Sequence, residues 1–309
     1  MNKMKLILAT RGSKLALAQA ALVRQDLMNL APSVDIELKV IRTRGDSIQN
    51  VPLSEVGGKG LFTRELETAL LDGSVDLAVH SMKDFPSDIP SGLRIGCIPR
   101  REVAYDVIIS RKYSTLEEIP VGAVVGTGSL RRQSILMANG CGFTIKSIRG
   151  NVETRLRKLD EGKYDAILLA AAGLNRLGLR ESNTIVLDGE FMIPAAGQGA
   201  LCIEIAQNSR VPLELLDEYN DTETSTCVAL ERAALGEMGA SCQVPVGVHA
   251  VMKTGCIQAR GCLAAPDGGE ILFSDVSGEP ARAEILGNSL ARNLLQNGGK
   301  KILDAIIHS

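Results

Sequence analysis

At 309 residues the chain is longer than one hydrophobic core usually sustains, which predicts two or three domains. A composition of 45% hydrophobic and 23% charged residues is that of a soluble globular protein, and a net charge of −2 argues against a global basic field for nucleic acid. The longest apolar runs, such as AILLAAAGL at 166–174, are too short to span a bilayer.

The amino-terminal MNKMKLILATRGS has lysines and then a short apolar run ended by Arg11. That run is too short for a secretory leader and reads as a first β-strand, so the chain is expected to be cytoplasmic. A Thr-Arg-Gly-Ser turn follows, then a helix with apolar spacing of three and four. IELKVIRTRGD reads as the next strand, ending in a basic glycine turn. EVGGKGLFTRELE (55–67) lacks phosphate-loop spacing. It reads as a mobile lid whose Lys59 and Phe62 reach a ligand, or as an ordinary glycine-rich turn. A further helix, TRELETALLDG, leads to the strand GSVDLAV and the loop HSMKDFPSDIP (80–90).

The same order then recurs. GAVVGTGSLRRQSILMANG is strand, Thr-Gly-Ser turn and helix; FTIKSIRGN is a strand with a basic glycine turn; TRLRKLDEG is a helix; GKYDAILLAAAG is a strand. Two α/β domains of one topology, with parallel sheets covered by helices, are expected. The alternative is that any two βαβ units look this much alike. Ser13 and Ser129 favour duplication, because each sits at an N-cap position beside glycines that let a ligand approach. A helix N-terminus there offers free N–H groups and the positive end of a dipole. Two facing domains of this kind predict a cleft for an anionic small molecule. From about residue 220 a third, α+β unit is expected: a helix, the loop GASCQVPVG (239–247), strands, and closing helices.

Several residues could carry chemistry. Arg11, Arg131, Arg132, Arg149, Arg155 and Arg176 fall at element ends, where guanidiniums fix carboxylates bidentately. Asp84 follows a strand at its carboxyl end, the ligand side of an open α/β sheet, and suits stabilisation of a developing cation. The same segment also reads as a plain Asp-x-Pro turn. His80 is expected to be structural. The seven cysteines are odd in number, and none joins the three histidines at zinc spacing, so free thiols and no metal are expected. Cys97 and Cys202 lie in apolar strand-like runs. Cys242 sits in a small-residue loop and reads as an exposed thiol or an idle one. With no tryptophan and 3% aromatics, a ligand would be held by charge and hydrogen bonds.

Together HSMKDFPSDIP, GTGSLRRQ, IRGNVETRL, VGGKGLF and GASCQVPVG resemble the porphobilinogen deaminase, or hydroxymethylbilane synthase, family, over nearly the whole chain. The resemblance implies two similar periplasmic-binding-protein-like α/β domains plus a small α+β C-terminal domain. These would be residues 1–99 with 200–217, residues 100–199, and residues 218–309. It implies a monomeric transferase of tetrapyrrole (heme) biosynthesis that joins four porphobilinogen molecules head to tail with loss of ammonia. Water then releases linear hydroxymethylbilane. It implies a dipyrromethane cofactor held by a thioether to Cys242, which primes the chain and is retained. Asp84 matches the family's catalytic aspartate. Arg11, Ser13, Ser81, Lys83, Thr127, Ser129, Arg131, Arg132, Arg149, Gly150, Arg155 and Arg176 match positions that hold cofactor and substrate. Gln19, with Gln198, Gly199 and Ala200, lies where the family lines the cleft and hinge, and Lys59 and Phe62 remain candidates for ligand contact from the lid. Family members usually carry glycines where Ala240 and Ser241 stand here, so a slightly stiffer loop is expected. Two rivals remain from the residues alone: a non-catalytic two-domain organic-acid-binding protein, and a thiol hydrolase using Cys242. The first leaves the third domain unexplained; the second has no orienting carboxylate near His249.

Overall fold

The computed structural model describes residues 3–43, 45, 61–239 and 244–307. These form two compact units, residues 1–102 with 200–225 and residues 103–199 with 226–309.

The first unit is built on a five-stranded sheet. Strand β1 (Met4–Arg11) runs parallel to β2 (Val34–Ile41) and β3 (Leu77–Ser81). The side-chain period of two sends alternate residues of β1 to opposite faces. Leu6 and Leu8 pack under helix α1 (Lys14–Leu30) with Val23 and Leu27. Ala9 packs on the other side with Leu66 and Leu70 of α2 (Arg64–Leu71). Each large aliphatic side chain fully buried in this way contributes about 1.5–3 kcal/mol. Beyond β3 lie β10 (Leu201–Ala206) and then β4 (Leu93–Cys97), giving the order β2-β1-β3-β10-β4.

The second unit repeats this plan. Its order is β7-β6-β8-β5-β9, made from β5 (Asp106–Ser110), β6 (Val124–Gly126), β7 (Thr144–Lys146), β8 (Ala166–Ala170) and β9 (Thr184–Leu187). Ile108 and Leu168 face α3 (Leu130–Ala138), while Val107, Ile109, Ile167 and Leu169 face α4 (Val152–Asp160). Helix α5 (Ala171–Arg176) follows β8 directly.

Neither sheet is all-parallel, contrary to expectation. β10 is antiparallel to both β3 and β4, and β5 is antiparallel to both β8 and β9. The cause is chain routing: the chain enters the second sheet on β5 and re-enters the first on β10, each time against the direction of its neighbours. The pairing also extends β3 beyond the expected VDLAV. Leu201 pairs with Ser81 and Cys202 with His80, so His80 lies in a strand and not in a loop. The fourth helix likewise begins earlier than its Thr-Arg, because Asn151 accepts the Thr154 N–H at 2.9 Å and caps it.

After α6 (Leu213–Tyr219), helix α7 (Thr222–Glu237) carries the chain back into the second unit. There an antiparallel sheet of β11 (Val246–Lys253), β12 (Cys256–Ala264) and β13 (Ile271–Gly278) packs against α7, α8 (Ala283–Leu294) and α9 (Lys300–Ile307). The α/β class, with two like-ordered sheets and a small three-stranded one, is therefore established. Among the described residues no helix is long and apolar enough to cross a membrane.

Helices α7 and α8 meet at Gly287. A Cβ there would collide with the Leu230 carbonyl oxygen and lie 3.0 Å from Ala233 Cβ. Gly287→Ala is expected to cost about 1–3 kcal/mol by overpacking. A denaturant midpoint equal to that of the parent chain would contradict this.

Candidate active site

In the first unit the site begins where β1 ends. Ser13 caps α1, its Oγ accepting the Ala16 N–H at 3.2 Å, and Thr10 Oγ1 donates to the Ala16 carbonyl at 3.0 Å. This tight strand-to-helix turn leaves Arg11 at the carboxyl end of the sheet. Its guanidinium carbon lies 4.1 Å from the Phe62 ring centroid, a cation–π contact. Ser81 ends β3, and its hydroxyl and the Gln19 side-chain amide bond each other at 3.0 and 3.2 Å. A single 3-10 turn, Met82–Asp84, follows. It is pinned by Met82 N–H to the Ala200 carbonyl at 3.0 Å and Phe85 N–H to the Met82 carbonyl at 3.1 Å.

Arg11, Gln19, Phe62, Ser81 and Asp84 line one pocket. Five residues expected from the sequence are thus brought together, and Ala16, Thr63, Val79 and His80 complete the wall. Asp84 is solvent-exposed on its turn, and Lys83 beside it is half-buried. His80 is buried, with Nε2 3.0 Å from Glu204 Oε2.

In the second unit Ser129 caps α3, accepting the Arg132 N–H at 3.5 Å, and Thr127 Oγ1 accepts the Ser129 N–H at 3.1 Å. Arg131 and Arg132, the first-turn pair, are buried. Arg131 Nη2 donates to Asp106 Oδ2 at 2.6 Å, and Arg132 Nε and Nη2 donate to Asp106 Oδ1 at 3.1 and 2.7 Å. The Ile193 and Leu168 carbonyls accept from Arg131 Nη1 and Arg132 Nη1 at 2.7 and 3.1 Å. Gln198 Nε2 also donates to Asp106 Oδ1, at 2.9 Å. Burial alone would raise the Asp106 pKa, but the Arg131 and Arg132 charges outweigh it and hold the carboxyl well below the usual range. Two guanidiniums on one carboxylate leave these three side chains one positive charge in excess.

Arg149, Arg155 and Arg176 are half-buried. Arg155 Nε donates to the Gly150 carbonyl at 2.8 Å, and Arg176 Nη2 donates to the Gly199 carbonyl at 2.6 Å. Gly150 has φ 111°, and a Cβ there would lie 2.5 Å from Thr154 Cγ2, so only glycine suits this turn. Cys242 and Lys59 lie outside the described residues. The described cysteines form no disulfide. Burial pushes the Cys97 thiol up to about 12 and Cys262 up to about 11, which leaves neither a thiolate at neutral pH.

Sequence reasoning missed Asp106 and Glu204. The signal was present, since each is a lone acid inside an apolar strand, in YDVIIS and in LCIEIA. Such a charge stays buried only when paired.

Comparison with known proteins decides the family. Residues 6–213 match the porphobilinogen deaminase dipyromethane cofactor binding domain, and residues 225–296 match the porphobilinogen deaminase C-terminal domain. The porphobilinogen deaminase of Thiobacillus denitrificans is 47% identical over 97% of this chain and 98% of that protein. That of Nitrosomonas europaea is 46% identical over 98% of each. The chain belongs to the porphobilinogen deaminase family. The family's enzymes are transferases that make hydroxymethylbilane. Among solved structures, the methionine binding protein MetQ is 14% identical over 72% of this chain and 94% of that one, at a TM-score of 0.45.

The donor set fits the family's dipyrromethane, whose pyrrole rings carry acetate and propionate groups. Arg11, in the pocket of the first unit, suits a carboxylate. The exposed Asp84 carboxylate suits pyrrole N–H groups.

The Asp106 carboxyl titrates below its unfolded value, so its stabilisation is complete above about pH 4 and is lost as pH falls toward the folded value. Asp106→Asn is expected to lower stability by about 3–5 kcal/mol at neutral pH, because two buried guanidiniums lose their counter-charge. The gap from the parent chain should narrow in acid. Denaturant melts at neutral and acid pH check both statements.

Proposed function

We propose that this chain joins four porphobilinogen molecules head to tail, releases ammonia at each step, and frees linear hydroxymethylbilane with water. The observation that carries the reading is the pocket in which Arg11, Gln19, Ser81 and Asp84 meet, in a chain of this family. Cys242 holds dipyrromethane through a thioether. When bound, that group supplies the pyrrole carbon on which the product grows. The remaining steps belong to the protein.

Asp84 accepts the pyrrole N–H of the arriving substrate and orients the ring. Departure of ammonia leaves a cation, and the fixed carboxylate stabilises it without reorganisation. Arg11 holds a substrate carboxylate bidentately, with its guanidinium over the Phe62 ring. Gln19 and Ser81, bonded to each other, keep this wall in place. In the second unit Arg149, Arg155 and Arg176, with the capped turn of Thr127 and Ser129, take further carboxylates. Arg131 and Arg132 add the excess positive charge of their cluster, and Lys83 adds its own. Gly199 and Ala200 supply backbone, through the Gly199 and Ala200 carbonyls that fix Arg176 and Met82. Lys59 belongs to a lid over the substrate.

The division into residues 1–99 with 200–217, 100–199 and 218–309 is supported by the three separate sheets. A monomer acting in the cytoplasm is proposed as well.

Intact mass and turnover test the reading together. The purified chain is expected to carry a covalent excess of two linked pyrrole units. Cys242→Ser should show the bare mass and no turnover. Asp84→Asn should keep the excess yet lose on the order of 100-fold or more in kcat. A bare parent chain that gains no mass with porphobilinogen would remove the proposal.

A further inference from the structure

His80 is the buried titratable group in the pocket wall to which the reaction above gives no part. It stands one residue before Ser81 and four before Asp84, in the last stretch of β3. Among the described residues, two contacts hold its ring. Nε2 lies 3.0 Å from Glu204 Oε2 across the β3–β10 pairing, and the ring centroid is 5.0 Å from that of Phe85, tilted by 48°. Phe85 immediately follows Asp84 and closes its turn through the Met82 carbonyl. The turn is therefore clamped from three sides: Ser81 by Gln19, Met82 by the Ala200 carbonyl, and Phe85 by the imidazole.

The chemistry behind the imidazole is unusual for a merely packed residue. Glu204 is fully buried, and among the described residues its second oxygen, Oε1, has no hydrogen-bond partner. Glu67 of α2 is also buried, with its own Oε1 unpartnered among the described residues. Burial raises the Glu67 pKa and outweighs the lowering by Thr63, while the nearby Glu204 raises it further and His80 and Arg64 lower it. The carboxylate that the His80 ring meets is that of Glu204, with Glu67 behind it on α2. The charged groups around the ring are Glu204 on β10, Glu67 and Arg64 on α2, Asp84 on the turn, and Arg11 across the pocket. A buried carboxylate with one hydrogen bond fixes its donor strongly, because releasing the donor would leave the charge uncompensated.

We propose that His80, with Nε2–H donated to Glu204 and its ring against Phe85, is a positioning residue for the Asp84 carboxylate. The inference rests on the function proposed above. The imidazole touches neither reacting atom; it sets the angle of the turn on which Asp84 stands. A shift of that turn would misplace the carboxylate relative to the cation without removing the groups that bind substrate. The signature is a loss in kcat at nearly constant KM.

The experiment compares His80→Leu and His80→Gln as cofactor-loaded enzymes, verified by intact mass. His80→Leu is expected to lose on the order of 100-fold in kcat, with KM for porphobilinogen within about twofold. His80→Gln, which can return an N–H donor to Glu204, is expected to recover part of that loss. If His80→Leu does not fold, Glu204→Leu carries the same expectation, since it replaces a buried carboxylate with an apolar side chain of similar size. With three histidines in the chain, proton NMR offers a readout separate from activity. An exchange-protected His80 Nε2–H signal should be present in the parent and absent in Glu204→Leu. Unchanged kcat in His80→Leu or Glu204→Leu overturns the inference, as does equal loss in His80→Leu and His80→Gln, or absence of the protected signal in the parent. A parent without turnover sinks the function and this inference together; an active parent beside an equally active His80→Leu sinks only the inference.

Discussion

Each five-stranded sheet depends on one antiparallel strand that the chain delivers from outside the parallel run, and each such strand carries a lone buried acid. In the first sheet the strand is β10 and the acid is Glu204, bonded to His80. In the second the strand is β5 and the acid is Asp106, bonded to Arg131 and Arg132. The two strands hold equivalent places in sheets of the same order. A buried charge in an otherwise apolar strand is tolerated only with a partner, so the strand and its partner define each other's position.

This constraint explains why the candidate site residues stand where they do. β10 fixes the end of β3 through pairing at His80 and Ser81, and the Ala200 carbonyl fixes the turn that bears Asp84. β5 fixes the first turn of α3, because Asp106 gathers both guanidiniums and the Gln198 amide. In both units an elaborated strand-to-helix turn is capped by serine. The caps satisfy helix N–H groups locally, while Asp106 holds the Ser129-capped turn and Glu204 the end of β3 from the sheet.

Much of the candidate site was legible in advance. Ser13 and Ser129 are caps because serine beside glycine at the end of an apolar strand has few other uses. Asp84 and Arg11 fall at strand ends, and the sheet brings them to one pocket with Gln19, Phe62 and Ser81. His80 reads as structural in the sequence, and its burial agrees, yet its acid partner stands 124 residues away. Arg131 and Arg132 read as ligands for carboxylates at an element end. Their burial on Asp106 is invisible to any local pattern.

The sequence by itself determined the order of elements, the duplication, the helix caps and the family. These rest on periodicity, on turn chemistry and on short motifs, all of which act over a few residues. Tertiary structure alone decided that both sheets are mixed, that β3 reaches Ser81, and which buried acid meets which base. Those outcomes depend on pairing between segments from 25 to 124 residues apart, and the energy of such pairing lies in burial and charge compensation that no single segment contains.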